Sequence, residues 1–324
     1  MPVPVHLDNV DDGLPTITSD TSGGFYDAFK AALPTLGFNI DSDDSGTQSL
    51  VFSNNPLNDI QYFIRLDSEF PEQGTTSSDV EVGAARLEVY QSLGDATAQT
   101  NIIRTIGLRL SSRGSTVSGT PSRYKFIGDG RTLYFLNNSS AADPESPIYY
   151  LTTLFEMAKG AGLPGASIAH GVGLNPAATS VNSFYAAVAS FDSGGDTYLL
   201  SGVGTGVTET PALAVTLPPA GNFDNEANSN FGTISALPDM PLSPIYLWET
   251  GTTLRGSFPG LLAPIGAISG LADQTHNVSG VQSQAGFFNG ILCRMTVRST
   301  RAASAPNHWK VFDLTNDWDL YHAA

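Results

Sequence analysis

Tyr124-Lys125-Phe126-Ile127-Gly128-Asp129-Gly130-Arg131-Thr132-Leu133-Tyr134-Phe135-Leu136 holds two short runs rich in aromatic and aliphatic residues around the turn sequence Gly128-Asp129-Gly130-Arg131. Gly and Asp tolerate the backbone angles that a tight reversal demands, so the stretch reads as a β-hairpin. Similar patterns recur on both sides. Ile60, Tyr62, Ile64 and Leu66 alternate with polar neighbours, as do residues of Arg86-Leu87-Glu88-Val89-Tyr90, and 102–110 is a third run. Period-two alternation buries one face of a strand. Further strands are expected at 184–191, 197–203, 212–217, 245–248, 291–297 and 309–314, while 149–157 fits strand or helix equally. Turn residues punctuate these runs at short intervals, the pattern of sandwiches and barrels.

Near the start the period changes. Phe25, Phe29, Leu33 and Leu36 recur at three- and four-residue steps, which predicts one helix. Thr21 or Ser22 suits its N-cap and Gly37 its end, with Pro34 disturbing the last turn. The fold expected is mostly β, with antiparallel sandwich- or barrel-like domains and one short N-terminal helix. Three parts are expected: a helix-containing segment 1–56, a β domain 57–145, and a second β-rich domain 146–324 with a long loop at 218–244. Ser146-Pro147-Ile148-Tyr149 echoes Ser243-Pro244-Ile245-Tyr246, which reads either as equivalent strands in two halves or as chance.

Composition excludes several classes. The 324 residues carry 15 Lys plus Arg against 31 Asp plus Glu, a net charge of −16, and 14% charged residues against 41% apolar. Disorder needs the reverse balance. An acidic chain is a poor ligand for phosphates, so no nucleic-acid partner is expected. No apolar run is long enough for a bilayer-spanning helix, and Met1-Pro2-Val3-Pro4-Val5-His6 does not read as a secretory leader. The charge is uneven, since the window 101–135 holds Arg104, Arg109, Arg113, Arg123, Lys125 and Arg131 against one acid, Asp129. That window reads either as a surface meeting an acidic partner, such as another copy of the chain, or as strand charges meeting acids within the fold. These six residues are the candidate subunit contacts, with the loop 218–244 beside them.

No reactive constellation emerges. The histidines His6, His170, His276, His308 and His322 have no paired metal spacing, and His170 falls in an expected loop, Ala169-His170-Gly171-Val172-Gly173. Cys293, the single cysteine, alternates with Ile291, Met295 and Val297 and reads as a core residue. Asp41-Ser42-Asp43-Asp44-Ser45-Gly46 imitates half a calcium loop, but Phe52 stands where the bidentate Glu belongs, and a polar turn explains it equally well. Asp192 and Asp196 read as turn acids. Gly202-Val203-Gly204-Thr205-Gly206 departs from the dinucleotide spacing and precedes poor helix material. No catalytic residue, metal or cofactor is expected.

Four stretches carry a resemblance: Ala85-Arg86-Leu87-Glu88-Val89-Tyr90, Ile127-Gly128-Asp129-Gly130-Arg131-Thr132-Leu133-Tyr134-Phe135, Leu254-Arg255-Gly256-Ser257-Phe258-Pro259-Gly260-Leu261-Leu262-Ala263-Pro264, and Val311-Phe312-Asp313-Leu314-Thr315-Asn316-Asp317-Trp318. In this order the chain resembles a family of virion structural proteins of tailed bacteriophages, including Mu-like ones. The resemblance implies a non-enzymatic subunit, repeated at the neck, collar, tail or head exterior, located in the virion and bound to other virion proteins and to copies of itself. Two other classes stand beside it. One is a receptor- or glycan-binding module of a fibre or baseplate, with Tyr246, Trp248, Trp309 and Trp318 stacking on host surface sugars. The other is an envelope hydrolase, which needs a pair of carboxylates in a cleft.

Overall fold

The computed structural model describes residues 3–17, 24–56, 61–68, 84–102, 104–109, 123–138, 149–157, 167–170, 198–201, 208–214, 233–234, 242–249, 253–264, 267–268, 276–283, 286–295 and 308–321. The chain is mostly β, with antiparallel pairing dominant. Its first part runs β1 (Val5–Asp8), α1 (Gly24–Ala32), β2 (Asn39–Asp44), β3 (Ser49–Ser53), β4 (Phe63–Asp67), β5 (Ala84–Tyr90), α2 (Leu93–Ala98), β6 (Arg104–Arg109), β7 (Tyr124–Gly128) and β8 (Leu133–Asn138). It continues with β9 (Tyr149–Met157), β10 (Ser167–His170), β11 (Tyr198–Ser201), β12 (Thr208–Ala214), β13 (Thr233–Ile234), β14 (Leu242–Glu249), β15 (Thr253–Pro264), β16 (Ala267–Ile268), β17 (His276–Ser283), β18 (Gly286–Met295) and β19 (His308–Asp313), ending in a 3-10 turn, Trp318–Tyr321.

The helix follows from its apolar stripe. Phe25, Phe29, Leu33 and Leu36 are all buried. Regular helix stops at Ala32, because Pro34 has no N–H to donate and disfavours the helical region for Leu33. The turn still closes: Phe38 N donates to Leu33 O at 3.0 Å and Gly37 N to Pro34 O at 3.1 Å, with Gly37 at φ +85°. This is the double bond of a glycine-terminated helix end. The N-cap candidates Thr21 and Ser22 lie outside the described residues.

The helix is packed on two sides. β2 to β6 form a five-stranded antiparallel sheet in sequence order. Its inner face presents Leu50, Phe52, Ile64, Leu66, Leu87 and Val89, and Phe29 lies 6.2 Å from Phe52. On the opposite side Phe29 meets Phe126 at 4.9 Å and Phe135 at 5.3 Å, on the β7–β8 hairpin. Each buried aromatic of this kind contributes roughly 1.5–3 kcal/mol of transfer free energy. One continuous core therefore joins Ile17 to Phe135. This core crosses the division expected at 56/57, because the helix buries its stripe against strands from beyond it. The boundary expected at 145/146 is crossed as well, since β8 pairs with β9 across it, from Leu133↔Leu154 to Asn138↔Tyr149.

The second sheet has twelve strands in the order β1-β7-β8-β9-β10-β11-β12-β14-β15-β19-β18-β17. It also turns back on itself, through pairings of β9 with β18 and β14 with β17. The ambiguous run 149–157 is strand β9. His170, expected in a loop, is the last residue of β10, paired with Tyr198 and Leu154. β1, β2, β3, β10, β13, β15, β16 and β17 had no counterpart among the expected strands, and neither had α2. The expected strand at 184–191, the turn at 192–196 and most of the loop 218–244 lie outside the described residues. No helix among the described residues is long and apolar enough to cross a membrane.

Candidate functional site

The β7–β8 hairpin is the wall between two cores. β7 pairs with β8 from Tyr124↔Asn137 to Gly128↔Leu133. Tyr124, Phe126, Leu133 and Phe135 face the helix. Tyr134, one residue out of phase, faces the other way. Its ring lies 5.2 Å from Phe312 and 5.5 Å from Trp318, and its hydroxyl donates to Pro259 O at 2.7 Å. A strand apolar on both faces is what a wall shared by two cores requires.

The hairpin tip is a junction. Asp129 Oδ1 accepts from Arg131 N at 3.0 Å and Thr132 N at 2.8 Å, which closes the turn. Burial pushes the Asp129 carboxyl up despite the opposing pull of Arg131 and of these N–H donors. The Arg131 guanidinium lies 3.1 Å from Asp129 and 3.5 Å from Asp317, and its carbonyl accepts from Tyr62 Oη at 2.7 Å. Gly130 (φ +83°) is packed backbone to backbone against Gly37, so closely that a Cβ on Gly130 would stand 2.8 Å from Gly37 O. Glycine is required there on two counts, the left-handed φ and the approach of another main chain.

The C-terminal segment completes the junction. Asp313, fully buried, accepts from Thr315 N at 2.9 Å, Asn316 Nδ2 at 2.9 Å and the Tyr321 hydroxyl, and its carbonyl accepts from Trp318 Nε1 at 2.7 Å. Burial, then the Asp313 carboxylate, push the Tyr321 hydroxyl well up. Trp318 is fully buried, so it offers no face to a sugar. The side chains of Tyr246, Trp248 and Trp309, placed on β14 and β19, lie outside the described residues. Three of the four stretches that carry the resemblance, 127–135, 254–264 and 311–318, thus meet at one place.

The six candidate contact residues are dispersed. Lys125 is buried and paired with the buried Asp8 of β1, two strands in register at Asp8↔Lys125. Arg131 is buried in the junction. These two are corrections to the surface reading: their charges are spent inside the fold, on Asp8, more than a hundred residues away, for Lys125, and on Asp129 and Asp317 for Arg131. Arg123 is partly exposed, 3.5 Å from Asp8. Arg104 and Arg109 stand at the two ends of the edge strand β6, opposite Val89 and Ala84. Arg113 lies outside the described residues. Of the half calcium loop, Asp43 pairs with Lys30 at 2.7 Å and accepts from the Tyr26 hydroxyl, while Asp44 accepts from Gly46 N at 2.9 Å and Thr47 N at 3.2 Å. Only the Asp44 bonds are those of a polar turn, since Asp41 to Asp44 belong to strand β2 and Asp43 is held by the helix. No group of three metal-ligating side chains occurs among the described residues.

His6 sits beside the Asp8–Lys125 pair, on strand β1 at the end of the twelve-stranded order. Its Nε2 is buried without a hydrogen-bond partner among the described residues. Burial first, then the Lys125 ammonium, lower it to about 4, against the smaller opposing pulls of Asp8, Asp12 and Asp11. Below its ordinary value of 6.5 the unfolded chain takes a proton that the folded chain refuses, so stability falls as pH drops from 6.5 towards 4. One proton gives a slope of at most about 1.4 kcal/mol per pH unit. Thermal melts of the protein should therefore shift downward between neutral and mildly acidic pH, and His6→Gln should remove most of that shift. An equal shift in the variant would assign it to other groups.

Compared with protein-family models, with curated proteins and with solved structures, the chain matches none.

Proposed function

We propose that the chain is a structural subunit of a tailed-bacteriophage virion, repeated at the neck, collar, tail or head exterior and acting through protein contacts rather than bond chemistry. The observation that carries this reading is the convergence of 127–135, 254–264 and 311–318 on one packed junction. Three of the four stretches through which the chain resembles virion proteins hold its two cores together, and Asp129, Arg131 and Asp313 are occupied in doing so. The small share of charged residues, 14%, fits a chain that exchanges solvent for neighbouring subunits. The test is quantitative mass spectrometry of purified particles. The expected result is this chain at a copy number that is a multiple of a ring order. Its absence from washed particles would overturn the proposal.

A further inference from the structure

Among the described residues the five-stranded sheet ends in two strands with no outer partner, one acidic and one basic in sequence. β2 and β6 are its outer strands, and among the described residues β2 is hydrogen-bonded only to β3, and β6 only to β5. Both are six residues long. β2, Asn39-Ile40-Asp41-Ser42-Asp43-Asp44, carries three acids, all exposed, of which Asp43 is matched by Lys30. β6, Arg104-Thr105-Ile106-Gly107-Leu108-Arg109, carries an arginine at each end. An open edge presents a row of unpaired N–H and C=O groups to any strand that can reach it. β2 has the features that discourage indiscriminate pairing: its acids, and a bulge between Ile40 and Ser42. A basic strand turns the first of those features into an attraction.

We propose that β6 of one copy docks on β2 of the next, extending the sheet from subunit to subunit. The inference rests on the reading of the chain as a repeated subunit and supplies the contact that repeats. Its geometry follows from the topology. Four successive antiparallel pairings leave β2 and β6 pointing the same way, so a copy that continues the sheet places its β2 parallel to the neighbour's β6. The alternatives are disfavoured by sign. A two-fold contact of β2 with β2 sets Asp41, Asp43 and Asp44 against themselves, and one of β6 with β6 sets Arg104 and Arg109 against themselves. Like charges directly across a strand pair are destabilising. Only the head-to-tail contact brings opposite charges together, and head-to-tail contacts close into rings or run on as filaments instead of stopping at a dimer.

The test is sedimentation of the purified full chain. Wild type should form multi-subunit species at low salt that dissociate as salt rises, since exposed charges are screened within about 10 Å at 0.1 M. Arg104→Glu with Arg109→Glu should sediment as a monomer, and so should Asp41→Lys with Asp44→Lys. An equal mixture of the two variants should reassemble, because each then supplies the edge the other lacks. Monomeric wild type at low salt, wild-type assembly in either variant, or a mixture no larger than its components would each overturn the inference. Should a charge-reversed pair lose its cooperative melt, Arg104→Gln with Arg109→Gln replaces the arginine pair and Asp41→Asn the aspartate pair, and unchanged assembly in either counts against the contact. A chain present in virions but monomeric in solution at low salt overturns the edge contact and leaves the subunit reading standing. Salt-sensitive assembly by a chain absent from virions does the opposite.

Discussion

Gly260→Ala should destabilise the protein by about 5 kcal/mol, the sum of two separate costs: roughly 1–2 kcal/mol for a Cβ in the left-handed region and about 3–5 kcal/mol for a lost tryptophan contact. Gly260 has φ +63°, and a Cβ built there would overlap the indole ring of Trp318. Trp318 cannot retreat within its own pocket. It is fully buried, its N–H is donated to Asp313 O at 2.7 Å, and Tyr134 stands against its ring at 5.5 Å. The added methyl therefore forces the indole out or the strand away, and Tyr134 loses a neighbour in either case. A double-mutant cycle separates the two costs. In a Trp318→Ala background the space beside residue 260 is already empty, so Gly260→Ala should cost only the backbone part, about 1–2 kcal/mol. Denaturant melts of the four proteins measure this directly. Equal costs in both backgrounds would mean that Trp318 does not lie against Gly260.

The same glycine shows why β15 was not legible as a strand. Thr253–Pro264 contains Gly256, Pro259, Gly260 and Pro264, each of which argues locally for a turn. The strand forms because it is paired on both sides, with β14 and β19, and because its register shifts between Pro244 and Tyr246 let the Pro259-Gly260 kink stand out of the ladder. Nothing local reveals a tolerance that the neighbours create. β1 is a second case. Val5–Asp8 is four residues long and polar at two of them, and it becomes a strand only through β7, more than a hundred residues onward. By contrast α1, β4, β5 and the β7–β8 hairpin carry their own periodicity, and for these the apolar stripe alone fixes which face is buried. Tyr62, Ile64 and Leu66 are all fully buried along one face, as their alternation requires.

The candidate contacts divide along the same line. A count of charges along the chain finds the basic window but not the partners of its members. Asp8 lies 117 residues from Lys125, and Asp317 lies 186 from Arg131. A lysine in an alternating strand reads as solvated unless both faces of the strand are covered, and β7 is covered on both because the hairpin divides two cores. One signal was present: Ile127 and Tyr134, apolar and out of phase with Phe126 and Phe135, already marked the hairpin as buried on two sides. A charge on such a strand must find an opposite charge inside the fold or stay unpaired at a cost of several kcal/mol. The acidic edge β2 was visible as Asp41, Asp43 and Asp44, but its role as an edge follows only from strand order.

Lys125→Met should cost about 3–5 kcal/mol, the range found when one member of a buried ion pair is removed. The methionine fills the volume of the lysine stem, so little of the loss is packing. What remains is the Asp8 carboxylate, 1% exposed, with Arg123 at 3.5 Å and the Val10 N–H at 2.9 Å as its remaining neighbours. In the native protein burial pushes the Asp8 carboxyl up, but the Lys125 hydrogen bond and the Val10 N–H outweigh it and hold it below its ordinary value. A depressed carboxyl contributes stability that is present above its unfolded value of 3.8 and is lost as pH falls through the folded value. Without Lys125 burial prevails and the carboxyl rises, so the sign reverses: protonating Asp8 relieves the variant, and its stability gains on the native protein as pH falls from 7 towards 4. Loss of the ammonium beside His6 works in the same direction, since that charge helps keep the imidazole neutral. The gap between native and Lys125→Met melts should therefore be widest at neutral pH and narrow in acid, and Asp8→Asn with Lys125→Met together should recover most of the loss. A gap that is constant with pH, and a double variant no better than the single, would show that Lys125 stabilises the sheet by packing and that its charge plays no part.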